Sequence, residues 1–361
     1  MKKLLTSFKK NGLELKNHIV MAPMTRSRAI GNLPNDLMAQ YYAQRSGAGL
    51  IITEGTAPTP EALGYPRIPG VFSEEQIDGW KKVTSKMHER GSKIFLQLMH
   101  TGRIGHTDNL PEGRHLVGPS DIVANGEIFT DTQGPVPHSQ PKALTIEGIN
   151  QVIGGFVEAS KNAVKAGFDG VELHGANGYL LEQFLNPHIN NRSDEYGGSI
   201  RNRTRIIIET AKKVSEAIGE ERTGIRFSPY STLGDLPAYD EEEVHQTYVR
   251  LAQKLDDLGI IYLHIGMNPQ IPRQTLRAIR NNFSGVIIQC NGLTSETAEE
   301  VLNADFADLT AFGRLFLANP DFAERIEQGT SLNEPDPNTF YTPGPKGYTD
   351  YPTLNVETAQ R

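Results

Sequence analysis

Residues 145–174 read TIEGINQVIGGFVEASKNAVKAGFDGVELH. Thr145, with Gly148 three residues on, opens a helix that runs to Ala166. Gly167 closes it, because the position after a helix end takes a left-handed backbone that glycine adopts without a steric cost. Gly170 to His174, GVELH, is too short and too apolar for another helix and reads as a strand. A helix that ends in glycine and feeds a short apolar strand is half of a βα repeat. The fold class depends on how often it recurs.

Outward from this stretch it recurs along the whole chain. Strands are predicted at 18–25 (HIVMAPMT), 50–54 (LIITE), 93–100 (KIFLQLMH), 170–174, 224–228 (GIRFS), 260–266, 285–290 (GVIIQC) and 308–313. Helices are predicted at 35–46, 73–90, 145–166, 201–218, 240–258, 270–282, 294–303 and 320–328. Ser73 with Gln76 forms a capping box, and Gly91 and Gly259 stand just before strands as Gly167 does. The strands are continuous apolar runs, the pattern of parallel strands covered on both faces. Strict alternation gives the α/β class, and eight units favour a closed (β/α)8 TIM barrel. An open Rossmann-type sheet is the alternative. It lacks support, since no GxGxxG follows a strand and opens a helix; GAGL at 47–50 stands in the reverse order. The expected organisation is one barrel domain over 1–361. It carries a long loop insertion after strand three, at about 101–144, and a tail from about 330 to 361.

With 361 residues, 37% hydrophobic and 22% charged, the chain has the composition of a globular protein. A formal net charge of −7 argues against nucleic acid as a partner, because phosphate binding needs a basic face. The single cysteine, Cys290, excludes an intrachain disulfide and a cysteine-ligated cluster. No HExxH or comparable ligand spacing points to a metal. Neither a signal-peptide h-region nor a membrane span is evident, so a cytoplasmic location is expected.

Barrel active sites lie at the C-terminal ends of the strands. There the chain places Pro23, Met24, Thr25 and Arg26; Glu54 and Gly55; Gln97 and His100; His174, Asn177 and Tyr179; Arg226; His264; Asn291 and Gly292; and Gly313 and Arg314. This mouth is neutral or cationic apart from Glu54, and suits an anionic or electron-rich ligand. Asn291 and Gly292 after strand seven, with Gly313 and Arg314 after strand eight, are the parts of a phosphate site. Three donors within six residues, His174, Asn177 and Tyr179, suit polarising a carbonyl oxygen and delivering a proton. SDEYGGS at 193–199 reads as a polar turn with Ser199 capping the next helix, and the remaining histidines, His18 among them, read as surface residues.

MAPMTR (21–26), HGANGYLLEQFLNP (174–187), SDEYGGSIRNR (193–203), FGR (312–314) and GYTDYP (347–352) together resemble the Old Yellow Enzyme family. That family comprises FMN-dependent ene-reductases, including N-ethylmaleimide reductases, and the likeness covers almost the whole chain.

The resemblance implies a tightly bound, non-covalent FMN and NADPH or NADH as hydride donor. Pro23, Met24 and Gly55 would pack on the flavin ring, Thr25 would bond its carbonyl nearest N5, and Gln97 its pyrimidine edge. Arg226 would stand by N1, where charge collects on reduction. Asn291, Gly292, Gly313 and Arg314 would hold the phosphate. His174 and Asn177 would grip the substrate carbonyl, Tyr179 would be the proton donor, and Tyr341 would close over the substrate. Met99 stands where many relatives carry Trp, which gives the substrate wall a more flexible surface. The implied substrates are electron-poor alkenes, and the implied assembly is a monomer or homo-oligomer. A non-catalytic FMN-binding sensor or carrier would keep the ring and phosphate contacts but need neither Tyr179 nor paired carbonyl donors.

Overall fold

The computed structural model describes residues 2–354. Eight parallel strands close into a barrel: β1 Ile19–Met21, β2 Leu50–Ile52, β3 Lys93–Leu98, β4 Gly170–Gly175, β5 Thr223–Phe227, β6 Tyr262–Gly266, β7 Val286–Cys290 and β8 Leu309–Phe312. Neighbours in sequence are neighbours in space. The ring shuts where β8 pairs with β1, Phe312 opposite Met21. The (β/α)8 reading holds, and the open sheet is excluded.

The outer helices are α1 Asp36–Gln44, α2 Glu74–His88, α3 Ile146–Lys165, α4 Arg205–Ile218, α5 Glu241–Asp257, α6 Arg273–Asn281, α7 Ser295–Asn303 and α8 Phe322–Gln328. Local chemistry fixes their ends. Ser73 and Gln76 form the reciprocal capping box, the Thr145 side chain accepts from Gly148 N, and Ser199 caps a short helix at Ile200–Arg203. Gly167 sits at φ +91, and a Cβ there would also fall 2.8 Å from Thr84 Oγ1. The glycine is therefore required twice over, by the turn and by the approach of α2.

Apolar side chains fill two layers. One lies between strands and helices and includes Trp80, Phe156, Ile207 and Leu251. The other lies inside the barrel around Phe95, Tyr262 and Val286, and takes in Phe8, Leu13 and Leu15. Those three belong to an antiparallel hairpin, Phe8–Lys10 with Leu13–Leu15, that the sequence reading missed. Its Lys10 Nζ bonds Gly285 O at 3.0 Å and Asp308 at 2.9 Å, just ahead of β7 and β8, so it plugs the N-terminal end. His18 is correspondingly buried against Phe8 and not at the surface.

The insertion after β3 has structure of its own. Val117–Gly118 pairs with Lys142–Ala143, and Glu127–Thr130 forms a hairpin with Gly134–Pro137. The tail crosses the C-terminal end of the barrel, held by Arg26, Arg28 and Arg45. Arg26 Nη2 donates to Gly347 O at 2.7 Å, and Arg28 Nη2 to Thr339 O at 2.8 Å. Tyr348 stacks on Tyr41 with ring centroids 4.0 Å apart. Among the described residues no helix is long and apolar enough to cross a membrane.

Candidate active site

Two cavities open at the C-terminal ends of the strands and share Pro23 and Arg226. The larger, about 820 Å³, is lined by Thr25, Gln97, Met99, His174, Asn177 and Tyr179, with Tyr65, Arg67, Phe129 and Tyr341 towards solvent. The smaller, about 550 Å³, is lined by Met24, Asn291, Gly292, Gly313 and Arg314. The predicted ring, substrate and phosphate residues thus fall in two lobes of one trough. Gly55 alone lines neither. A Cβ there would lie 2.5 Å from Met99 Sδ, so its role is to let Met99 lie across the end of β2.

The donor group occupies the end of β4. His174 is 3% exposed, and its Nδ1 has no partner within the protein. Burial, with the charges of Arg226 and His264 nearby, pushes its pKa well below the usual imidazole range. The ring is therefore neutral and offers one N–H donor. Its edge meets Tyr179 at 4.8 Å between centroids. The Tyr179 hydroxyl reaches the Tyr65 hydroxyl at 3.2 Å. Burial raises its pKa, an effect the Tyr65 bond only partly offsets, so the phenol keeps its proton at neutral pH. Asn177 adopts φ +58, and its backbone N–H donates to Ser228 Oγ at 2.8 Å.

Beneath the larger lobe lies a polar layer inside the barrel. Gln97 Nε2 donates to Glu172 Oε1 at 2.8 Å, and His264 Nδ1 lies 2.8 Å from Glu172 Oε2. Burial opposes charge on His264, but Glu172 outweighs it and raises the imidazole pKa. Burial pushes the Cys290 thiol up, yet His264 and the Arg226 guanidinium bring its pKa below the ordinary value. The environment of Cys290 is thus more electropositive than its place in an apolar strand suggests. Arg226 Nε has no protein partner.

In the smaller lobe, Asn291 and Gly292 both take positive φ, +82 and +68, and turn the chain sharply from β7 towards α7. Gly313 begins a short helix, Arg314–Ala318, whose first N–H groups have no helical carbonyl to bond. Exposed Arg314 adds a cation, its guanidinium 5.9 Å from the Phe340 ring. This is the chemistry of a phosphate cradle.

The donor set fits FMN. The pyrimidine edge of a flavin presents an N–H between two carbonyls. Gln97, with Nε2 committed to Glu172, has Oε1 left to accept, and Arg226 supplies donors. Residues 3–333 match the NADH:flavin oxidoreductase / NADH oxidase family. The chain belongs to this family. Within it, the chain is 41% identical to 12-oxophytodienoate reductase 1 of Oryza sativa subsp. japonica, over 97% of this chain and 93% of that protein. Its fold matches morphinone reductase in complex with tetrahydroNAD at a TM-score of 0.94, with 40% identity over 98% of each chain. It matches the Old Yellow Enzyme homologue of Zymomonas mobilis at 0.93, with 37% identity over 98% of this chain and 100% of that one. The protein is an FMN-dependent oxidoreductase of the Old Yellow Enzyme family.

Two readings of the mouth change. Arg26 is fully buried and directed to the tail, away from the cavity. Glu54 is buried in the barrel wall, its Oε1 3.2 Å from the Tyr42 hydroxyl and its Oε2 without a partner. The carboxylate that does serve the trough is Glu172, concealed in the strand GVELH. Tyr65, which bonds Tyr179, follows Gly64 in a stretch with no periodic signal.

Proposed function

We propose that this enzyme reduces the activated C=C bond of enones, maleimides or nitroalkenes, with NADPH or NADH as the electron source. The observation that carries this reading is convergence. A neutral imidazole, a carboxamide and a protonated phenol line the same cavity as the residues assigned to the flavin. His174 and the Asn177 side chain hold the substrate oxygen, carbonyl or nitro. As negative charge builds there, their N–H donors stabilise it without reorganising. When bound and reduced by the nicotinamide, FMN supplies the hydride that reaches the β-carbon. Tyr179 gives its proton to the α-carbon, so that two hydrogens add across the double bond. The phenol proton is replaced from solvent, with Tyr65 within hydrogen-bond distance.

Pro23, Met24 and Thr25 line the ring face, and Gly55 acts behind Met99. Asn291, Gly292, Gly313 and Arg314 hold the phosphate. Met99 forms the flexible wall of the substrate lobe, and exposed Tyr341 covers it from the tail.

The test is an anaerobic visible-absorption titration of the yellow holoenzyme, first with NADPH or NADH and then with 2-cyclohexenone. Bleaching followed by recovery of colour on adding the enone is the expected result. A protein that bleaches and stays bleached with enone, maleimide and nitroalkene alike does not have this activity.

A further inference from the structure

Behind the donor group lies a carboxylate that the reaction as described does not use. Glu182, in the short helix Leu180–Gln183, is 3% exposed, and its carboxyl gathers three donors. Gly178 N–H reaches Oε2 at 2.7 Å, while the Ser228 hydroxyl at 2.7 Å and the Tyr248 hydroxyl at 3.0 Å reach Oε1. Ser228 Oγ in turn accepts from Asn177 N–H at 2.8 Å. Both backbone amides of the Asn177–Gly178 turn thus end on one carboxyl, one directly and one through a hydroxyl.

That turn needs holding. Asn177 and Gly178 are consecutive left-handed residues, at φ +58 and +79. Asparagine and glycine tolerate this backbone better than other residues, so the turn is accessible, and bonds to both of its amides select it from the other conformations open to the chain. On the other side, residues 233–234 press so close that a Cβ on Gly178 would fall 2.3 Å from Leu233 O.

We infer that Glu182 is the positioning residue for Asn177: its carboxylate fixes the 177–178 turn through Ser228 and Gly178, and so aims the Asn177 amide at the substrate oxygen. This rests on the proposed role of Asn177 as a carbonyl donor. Ionisation then bears on binding. Burial lifts the Glu182 carboxyl to about 7, against the opposing pull of the Gly178, Ser228 and Tyr248 bonds and of Arg226. Other titratable groups around it are Tyr248 and Glu241 on α5, Tyr239 ahead of that helix and Tyr230 after β5; they line the small cavity of about 180 Å³ behind it. The three tyrosines have pKa values raised above the ordinary phenol range, so Glu182 is the group expected to titrate near neutrality. A protonated carboxyl directs an O–H at the Ser228 or Tyr248 hydroxyl, which must turn from donating to accepting, and the charge that anchors the turn is lost.

The test is the affinity of the FMN-loaded enzyme for 4-chlorophenol, an enolate mimic, between about pH 6 and pH 8; the phenol's own ionisation imposes the same slope on the unmodified enzyme and its variants, so the difference between their profiles reads Glu182. In the unmodified enzyme the dissociation constant should rise severalfold as pH falls through this window. Glu182→Gln keeps an acceptor for Gly178 N–H but removes the ionisable group and turns an amide N–H towards the Ser228 and Tyr248 hydroxyls, which must rotate to accept it; it should weaken binding about tenfold at the upper end and flatten the pH profile. Ser228→Ala, a smaller change, should weaken binding with Glu182 in place. The double variant should lose no more than the worse single variant, because both act through one chain of bonds. FMN content and melting temperature, measured alongside, report whether each variant folds. If the unmodified enzyme binds the phenol and Glu182→Gln matches it across the pH range, Glu182 does not set Asn177. Additive losses in the double variant overturn the route through Ser228. If the unmodified enzyme takes up no phenol, the carbonyl-donor reading itself falls, and this inference with it.

Discussion

Glu172 Oε1 accepts from Gln97 Nε2 at 2.8 Å, and this one bond decides which end of the Gln97 amide is left for a ligand. An amide free to flip would present its acceptor only part of the time. Glu172→Gln removes the preference, because a second amide can donate or accept towards Gln97 equally well. It also strips His264 of its carboxylate partner at 2.8 Å. The expected result is FMN retained about tenfold less tightly, read by the fluorescence of flavin released on dilution. Unaltered retention would mean that Gln97 takes no part in holding the ring.

The proton step separates the two half-reactions. Tyr179→Phe keeps the ring that packs at 4.8 Å against His174 and deletes only the hydroxyl. Stopped-flow reduction by NAD(P)H should stay close to that of the unmodified enzyme. Reoxidation by 2-cyclohexenone should slow by about 10²- to 10⁴-fold, the usual worth of a positioned general acid. An equal fall in both rates would remove Tyr179 from the proton-donor role.

The fold and much of the trough can be read from the chain because they rest on local signals. The strand ends follow from apolar runs and glycine caps such as Gly167, and strand ends in a barrel converge on one mouth. What escaped lacks such signals. The plug hairpin has strands of three residues, too short for any period to show. Glu172 sits among apolar neighbours, and its partner Gln97 is 75 residues away. Arg26 follows Thr25 directly, and only the path of the tail reveals that it turns outward to Gly347.

Burial of Glu54 has a stability consequence with a definite sign. Its carboxyl is raised to about 7 from an ordinary 4.5, with burial as the main cause and Tyr42 pulling the other way. In this range the folded state binds the proton more tightly than the unfolded state. Stability therefore falls as pH rises from about 4.5 to about 7, by on the order of 3 kcal/mol in all. Glu54→Gln cannot ionise, so thermal melts at pH 5 and pH 8 should differ less for the variant than for the unmodified protein. A variant with an equal or larger difference would show that Glu54 is not held this way.

Arg28 joins the tail to the mouth. Its guanidinium donates to Phe340 O and Thr339 O at 2.8 Å each and to Lys346 O at 3.0 Å, spanning the segment that carries Tyr341. Burial lowers its pKa to about 10, which leaves the group charged at neutral pH. A lysine would keep the charge but could not reproduce this planar fan of donors. Buried carbonyls left without a partner cost about 1–3 kcal/mol each. Arg28→Lys should therefore lower stability by roughly 2 kcal/mol and release the tail before the barrel melts. Limited proteolysis should then cut between 336 and 350 faster than elsewhere in the described chain. With Tyr341 no longer fixed over the lobe, KM for small enones should rise more than kcat falls. If the tail stayed as resistant to protease as in the unmodified enzyme, its remaining bonds, those from Arg26, Arg45, Gln44 and Arg67 among them, would suffice to hold it.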